Sequence, residues 1–356
     1  ASGSTDVEFE LRAARKLSGT IELDNFGNRF VGRERIAAQL QMVNPNGWGE
    51  LIGLRLVTSG GKLNSARLNV QATPLRDGWR FGMNAAATYY ELGDAFADLD
   101  ADGLARTLGA YVLYPVHRTQ RSNVYAQFIA EQKDLRDRVL GTDTEKHSSA
   151  LTASLSAEHR DEWLGGGVSS YTLALSSGRL KIETVASRVL DASTAGSDGA
   201  FSKVGVSLLR LQSLRERVSL YAGLSGQWSR QNLDSSEKFA LGGANAVRAY
   251  PQGEAIGDRG YLATAELRYR LPQQVLGSDV DLAAFFDHGE IRINARAWLP
   301  GDDNSRRLSG AGLGIAVVRR DSFFARLNVA TKTSSEAAIS DEDKHVRAWL
   351  QVIKQF

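Results

Sequence analysis

The chain has no cysteine and only six prolines among its 356 residues. Without thiols there is no disulfide framework, no thiolate metal site and no cysteine nucleophile. It also lacks any run of about 18 apolar residues, which excludes a membrane-spanning helix. Charge of one sign is missing too: 43 Lys and Arg stand against 41 Asp and Glu, a net +2, so nothing suggests a nucleic-acid partner. Residues Ala1 to Asp6 show no basic stretch followed by an apolar one, so the chain is expected to start after a removed signal peptide or within a longer protein. A mean hydropathy of −0.27 would suit an ordinary soluble protein. Glycine is abundant instead, at 35 residues, which points to extended segments joined by tight turns.

The pattern is period-two alternation almost throughout. From Arg217 to Ser229 one face carries Val218, Leu220, Ala222, Leu224, Gly226 and Trp228, and the other mostly polar residues. The same holds from Tyr261 to Leu271 and from Trp79 to Tyr89. Successive side chains of a strand point to opposite faces, so each segment is apolar on one side only. Alternation alone also permits a soluble sandwich, whose core would need bulky residues. Here many apolar positions are small, and aromatic rings such as Trp79 and Tyr89 bracket the apolar faces. That is the girdle of a transmembrane β-barrel, where lipid replaces the core.

About 16 strands are expected, at 18–27, 34–43, 50–59, 63–74, 79–90, 103–114, 121–133, 145–158, 164–178, 200–213, 216–230, 260–271, 278–289, 308–319, 322–332 and 345–356. Connections after even-numbered strands are short, as at 76–78 and 319–321. Several after odd-numbered strands are long, at about 179–199, 231–259 and 290–307. Short turns on one rim and long loops on the other are the outer-membrane asymmetry. The last strand runs without Gly or Pro to Phe356, a fitting insertion signal, although Lys354 on its outward face must snorkel.

The stretch from Leu241 to Gly260 contains Val247-Arg248-Ala249-Tyr250-Pro251-Gln252-Gly253-Glu254-Ala255-Ile256-Gly257-Asp258. It resembles the long-loop motif of two-partner-secretion outer-membrane translocators (TpsB), in the barrel superfamily that includes the assembly protein BamA. The superfamily form has Gly where this chain has Ala249. Leu23–Gly32, Asn44–Gly49 and Tyr114–Arg118 are similar to the first strand and early turns of that family, and Phe285-Phe286-Asp287-His288-Gly289 to its acidic strand motif. Residues from about Thr5 to Arg15 resemble the last strand of a periplasmic POTRA domain. The resemblance therefore implies a POTRA remnant and linker over 1–17 and a barrel over 18–356, with the loop of about 231–259 folded into its lumen. It also implies a bacterial outer-membrane location and a secreted partner exoprotein of adhesin, haemolysin or toxin type. Outer-membrane lipid, lipopolysaccharide and the barrel-assembly machinery are the other expected partners.

A loop of that length is too long for a mere connection. If it enters the lumen, Arg248 needs an anionic partner, because a charge taken out of water is costly unless paired. Alternation sets Phe285, Asp287 and Gly289 on the inner face of their strand. An Arg248–Asp287 ion pair locking the loop tip to the wall is therefore expected, as the resemblance also implies, with Gly289 leaving room for the loop.

No enzyme is expected. The five histidines are scattered without metal-ligand spacing. His288 follows Asp287 but faces the other way. Gly310-x-Gly312-x-Gly314 lies on a strand and reads as close packing rather than a dinucleotide fingerprint. Asp98–Gly103 begins like a calcium loop but has Gly109 where a bidentate Glu belongs. No cofactor or metal follows. The alternatives to secretion are a passive solute porin and a BamA-like insertase, the latter requiring a weak seam between first and last strands.

Overall fold

A computed structural model describes residues 15–75, 77–298, 301 and 303–356. The region read as a POTRA remnant therefore lies almost wholly outside the described residues. In chain order the strands are β1 (Leu17–Asp24), β2 (Arg35–Val43), β3 (Leu51–Thr58), β4 (Leu63–Ala72), β5 (Arg80–Glu91), β6 (Asp102–Arg118), β7 (Ser122–Val139), β8 (Thr142–Asp161) and β9 (Gly167–Ile182). A helix, α1 (Val185–Ser193), precedes β10 (Gly199–Arg215) and β11 (Val218–Ser229). Two short strands, β12 (Phe239–Leu241) and β13 (Ala255–Gly257), lie inside the longest connection. The chain ends with β14 (Arg259–Arg270), β15 (Asp279–Arg292), β16 (Ser305–Arg319), β17 (Phe323–Lys332) and β18 (Val346–Gln355).

All strands except β12 and β13 close into one antiparallel barrel of sixteen, in which β1 pairs with β18. No helix among the described residues is long and apolar enough to cross a membrane; the chain crosses with strands. Side-chain alternation gives the wall its two faces. On β5, Phe81, Met83, Ala85, Ala87 and Tyr89 point outward and are exposed, while Gly82, Asn84 and Thr88 point inward. On β15, Leu282, Ala284 and Phe286 point outward, and Phe285, Asp287, Gly289 and Ile291 are buried inside. Trp79 stacks on Phe81 and lies 4.5 Å from Tyr114, forming part of the aromatic belt at the rim of short turns.

Four strands differ from the sequence reading. β6 to β9 extend well beyond the apolar segments, turning over at 119–121 and 140–141. The Tyr114–Arg118 stretch is therefore the end of β6 and not a turn. Pro115 is accommodated because the ladder to β7 shifts register between Pro115 and His117, and a bulge spares the missing N–H. Above the apolar belt these strands carry polar residues on both faces, so the hydrophobic alternation fades while the hydrogen-bonded ladder continues.

The β1–β18 ladder has five paired positions, from Thr20↔Gln355 to Asp24↔Gln351, fewer than any other join in the barrel. Backbone bonds between Gly19 and Phe356 lengthen it at one end. At the other, Asn25 acts as a surrogate strand: its Oδ1 accepts from the Leu350 N–H at 2.9 Å and its Nδ2 donates to the Ala348 carbonyl at 3.0 Å. The Phe356 ring lies over Gly19, where any side chain would collide with it. Lys354 donates to Ser322 Oγ at the same rim.

Leu151, on the outward face near the middle of β8, is 67% exposed to the surroundings of the barrel. Leu151→Arg is expected to lower stability by about 2–4 kcal/mol in lipid vesicles. Denaturant titration of the two proteins in vesicles checks this, with the inward Ser154→Arg as the milder comparison.

Candidate functional site

The connection between β11 and β14, residues 230–258, is the longest in the barrel. β12 and β13 pair antiparallel, Phe239 with Gly257 and Leu241 with Ala255, so the connection folds as a hairpin with its tip at 242–254. Gly242 (φ 88°) and Gly243 (φ 109°) let the chain turn in the left-handed region. Two turns tighten the tip, Ala246 N–H to Gly243 O and Tyr250 N–H to Val247 O, and a bond from Gly243 N–H to Tyr250 O closes it, all at 3.0–3.1 Å.

The tip is buried. Leu241, Val247, Ala249 and Tyr250 are fully inaccessible and pack with the wall residues Phe285, Ile291, Leu308 and Ala330. Among the described residues this is the larger of two buried apolar clusters, and it is made between loop and wall. The superfamily glycine is not needed at 249, because Ala249 does not adopt positive φ. The wall supplies the space instead: a side chain at Gly310 would collide with the Ala249 methyl, and one at Gly289 would meet Leu241 at 2.9 Å. Gly312 is likewise closed to side chains, by Phe285 and by the β17 backbone.

Arg248 sits at the centre. Its Nε donates to Asp287 Oδ2 at 2.8 Å and its Nη2 to Asp287 Oδ1 at 2.9 Å, a bidentate pair. Nη1 donates to Glu266 Oε2 on β14 at 2.7 Å, and the backbone N–H of Arg248 also donates to Asp287. Thr264 Oγ1 donates to the other Asp287 oxygen at 3.0 Å, and Arg268 donates to Glu266. The guanidinium lies 3.3 Å from the centroid of the Phe285 ring, a cation–π stack. Trp349 on β18 donates its indole N–H to the Arg248 carbonyl at 2.7 Å. Asp287 is wholly buried and the Arg248 side chain 7% exposed. Such a pair is tolerable only with this many hydrogen bonds around it.

The rest of the motif ties the tip to neighbouring segments. Tyr250 donates its hydroxyl to the Glu336 carbonyl at 2.7 Å and meets Ser334 Oγ at 2.9 Å. Glu254 accepts from Arg306 Nη1 at 2.8 Å and from the N–H groups of Ile339 and Ser340. Pro251 is buried beside it, and Gly253 (φ 70°) makes the turn between them. Asp258 accepts from the N–H groups of Leu233 and Ala295 and lies 3.1 Å from Lys238 Nζ, while Gly257 abuts the Arg292 carbonyl. Val247, with no polar atom beyond its backbone, is pure core.

The descending limb carries contacts that alternation did not single out. Asp234 pairs with Lys146 of β8 at 2.7 Å, and Glu237 with Lys133 of β7 at 2.6 Å and Lys203 of β10 at 2.8 Å. Burial opposes charge on Asp234, but Lys146 and the Ser236 N–H outweigh it and hold the carboxyl below its usual range. Burial opposes charge on Glu237 as well, and Lys203 and Lys133 keep it low. The signal in the sequence was the inward register of three lysines, Lys133, Lys146 and Lys203, each too costly in a narrow lumen without a partner. His288, on the outward face, bonds Ser309 Oγ and Tyr261 and takes no part with Asp287. Among the described residues no group of His, Asp or Glu could hold a metal ion.

Comparison with known proteins follows the fold and the loop. Residues 3–317 match the family described as "Haemolysin secretion/activation protein ShlB/FhaC/HecB". The chain is 29% identical, over an alignment of 366 positions, to the heme/hemopexin transporter protein HuxB of Haemophilus influenzae, covering 99% of this chain and 62% of that protein. To the outer membrane transporter CdiB of Dickeya dadantii it is 22% identical over 332 positions, covering 89% of this chain and 57% of that one. Among solved structures it resembles CdiB from Escherichia coli, with a TM-score of 0.82 at 17% identity over 97% of this chain and 64% of the other. It also resembles BamA from Haemophilus ducreyi, with a TM-score of 0.64 at 13% identity over 96% and 70%. Those structural likenesses show the fold alone. The chain spans about 62% of the length of the HuxB proteins it matches.

Removing one partner of the buried pair leaves the other charge without compensation. Arg248→Ala is expected to destabilise the barrel by about 3–5 kcal/mol. Arg248→Lys is expected to recover only part of that, because a point charge cannot engage both Asp287 oxygens at once. Denaturant unfolding of the purified barrel in detergent measures both.

Proposed function

Because the chain belongs to the ShlB/FhaC/HecB family of haemolysin secretion/activation proteins, we infer that it is the outer-membrane pore of a two-partner secretion system. Its substrate is a large exoprotein that passes unfolded from the periplasm to the cell surface. The observation that carries this reading is the 230–258 connection. Its Glu237 side chain reaches Lys133 of β7 and Lys203 of β10 at one end, and at its tip the Arg248 carbonyl accepts from the indole N–H of Trp349 on β18. Strands so far apart around a closed barrel are bridged only across its interior.

In this reading the loop braces the lumen and controls its bore. The Arg248–Asp287 pair fixes the tip to the inner wall, and Val247, Tyr250 and Pro251 seat it in an apolar pocket. Glu254, Gly253, Gly257 and Asp258 fasten its return limb, and Phe285 and Gly289 shape the wall beneath. Polar inward side chains on the remaining arc give an extended chain hydrogen-bonding partners without a sequence preference. Among the described residues no nucleophile, base and oxyanion site is assembled, and the reading is transport rather than catalysis. Phe356 serves as the insertion signal read by the barrel-assembly machinery. The HuxB relatives are described as heme/hemopexin transporters, which makes an iron-acquisition exoprotein one candidate cargo.

The short β1–β18 ladder is the one observation favouring a second reading, a BamA-like insertase that opens at its seam. Asn25, Gly19 and Phe356 extend that join at both ends, and the family match favours secretion. A passive porin is disfavoured by the anchored loop.

Arg248→Ala in the full-length protein is expected to reduce secretion of the partner exoprotein by about tenfold, the order that a lost contact of about 1.4 kcal/mol at the functional state produces. In planar bilayers the same variant is expected to turn a small, erratic conductance into a larger one. Undiminished secretion with unchanged conductance would refute the bracing role.

A further inference from the structure

A broad depression lies on the outside of the barrel. It has a volume of about 930 Å³, lies across β4 to β9, and is continuous with a second of about 500 Å³ that shares Met83, Ala110, Ala130 and Leu151 with it. The floor is made by small outward residues, Ala110 on β6, Ala130 on β7 and Ala153 on β8. The walls are Met83, Phe128 and Leu151, exposed by 58%, 65% and 67%. The lining is almost wholly apolar, so within a bilayer this is a slot of acyl-chain character rather than a polar ligand site.

The chemistry changes along the slot. The ladders connecting β6, β7, β8 and β9 fix four successive outward rows. The row Val112–Phe128–Ala153–Leu175 is apolar, and Ala110–Ala130–Leu151–Ser177 is nearly so. Next toward the rim of long loops comes Leu108–Gln132–Ser149–Arg179, and then Arg106–Asp134–His147–Lys181. The slot therefore ends under a polar crown. Asp134 is engaged by His147 at 2.6 Å, and Arg136, one row higher, by Asp143 at 2.7 Å. Lys181 pairs with Glu183. Arg106 and Arg179 are exposed, and among the described residues neither has a carboxylate partner.

An outward arginine just above an apolar belt is not explained by lumen or loop. Arginine on a lipid-facing surface is costly unless an anion meets it, and its fork suits phosphate. Arg106 and Arg179 stand three strands and two residues apart, roughly 15 Å. That span suits the two ends of a diphosphorylated disaccharide whose acyl chains descend between Met83 and Leu151. Since this rim carries the long loops, it faces the outer leaflet.

We propose that the outer face of β5 to β9 is a binding site for lipid A, with Arg106 and Arg179 holding its phosphates and the Ala110–Ala130 slot holding acyl chain. The site rests on the outer-membrane reading but not on the secretion mechanism, and it involves none of the loop residues.

The test is titration of the full-length protein, purified in detergent, with diphosphorylated and dephosphorylated lipid A, with bound lipid counted by native mass spectrometry. Wild type is expected to prefer the phosphorylated form by about tenfold or more, as two charge-assisted contacts require. Arg106→Ala/Arg179→Ala should abolish that preference without weakening the dephosphorylated form. Ala130→Trp, which fills the slot, should weaken both. Inorganic phosphate alone should not compete. Absence of preference in wild type overturns the site and requires no variant to fold; so does an arginine variant that binds like wild type, or effective competition by free phosphate. Secretion by the arginine variant is expected to be unchanged, so its loss with lipid A preference intact would overturn the site and leave the pore reading standing.

Discussion

The arrangement around the lumen depends on one constraint, that a charge removed from water must be matched where it stands. Arg248 is carried on a loop tip to a place where little water reaches it. It is matched there by Asp287 and Glu266 from adjacent wall strands and stacked on Phe285. The match is geometric as well as electrical. Asp287 accepts from Nε, Nη2, the Arg248 N–H and Thr264, which uses both oxygens. Few other positions of the tip would satisfy these groups together. The apolar contacts of Leu241, Val247 and Tyr250 add area but little direction. The ion pair supplies position, and the apolar cluster supplies much of the attraction.

A barrel of this size has no conventional core. Its outer face meets lipid, its inner face is polar, and the wall coheres through a closed ladder of backbone hydrogen bonds. Among the described residues, the larger of the two buried apolar clusters forms where the loop meets β15 to β17. The wall glycines follow from that contact. Gly289 and Gly310 stand where loop side chains approach the backbone, and Ala249 occupies the space that Gly310 leaves. Composition averages all three environments, so a mean hydropathy of −0.27 describes none of them.

Most of the barrel was legible because lipid on one side and water on the other impose a strict period of two. The same period set the inward register of Phe285, Asp287 and Gly289, and the cost of an unpaired arginine suggested what Arg248 would meet. Legibility failed where the apolar face ended. The upper parts of β6 to β9 rise out of the belt with polar residues on both sides, and Pro115 looked like a stop until a bulge absorbed it. The second carboxylate, Glu266, and the indole of Trp349 were equally hidden. Their roles come from strand neighbours far apart in sequence, which alternation within a single strand does not encode. The lysine ladder that holds Asp234 and Glu237 was hidden for the same reason.

Arg248 and Asp287 are expected to act as one unit in holding the loop tip on the wall. The chain has no cysteine, so a single Ala246→Cys probe reports the tip alone. Its rate of maleimide labelling, measured with Arg248→Ala, with Asp287→Ala and with both, tests the coupling. Each single substitution is expected to accelerate labelling, and the double variant to be no faster than the faster single. Acceleration that simply adds between the two substitutions, or labelling unchanged by either, would contradict it.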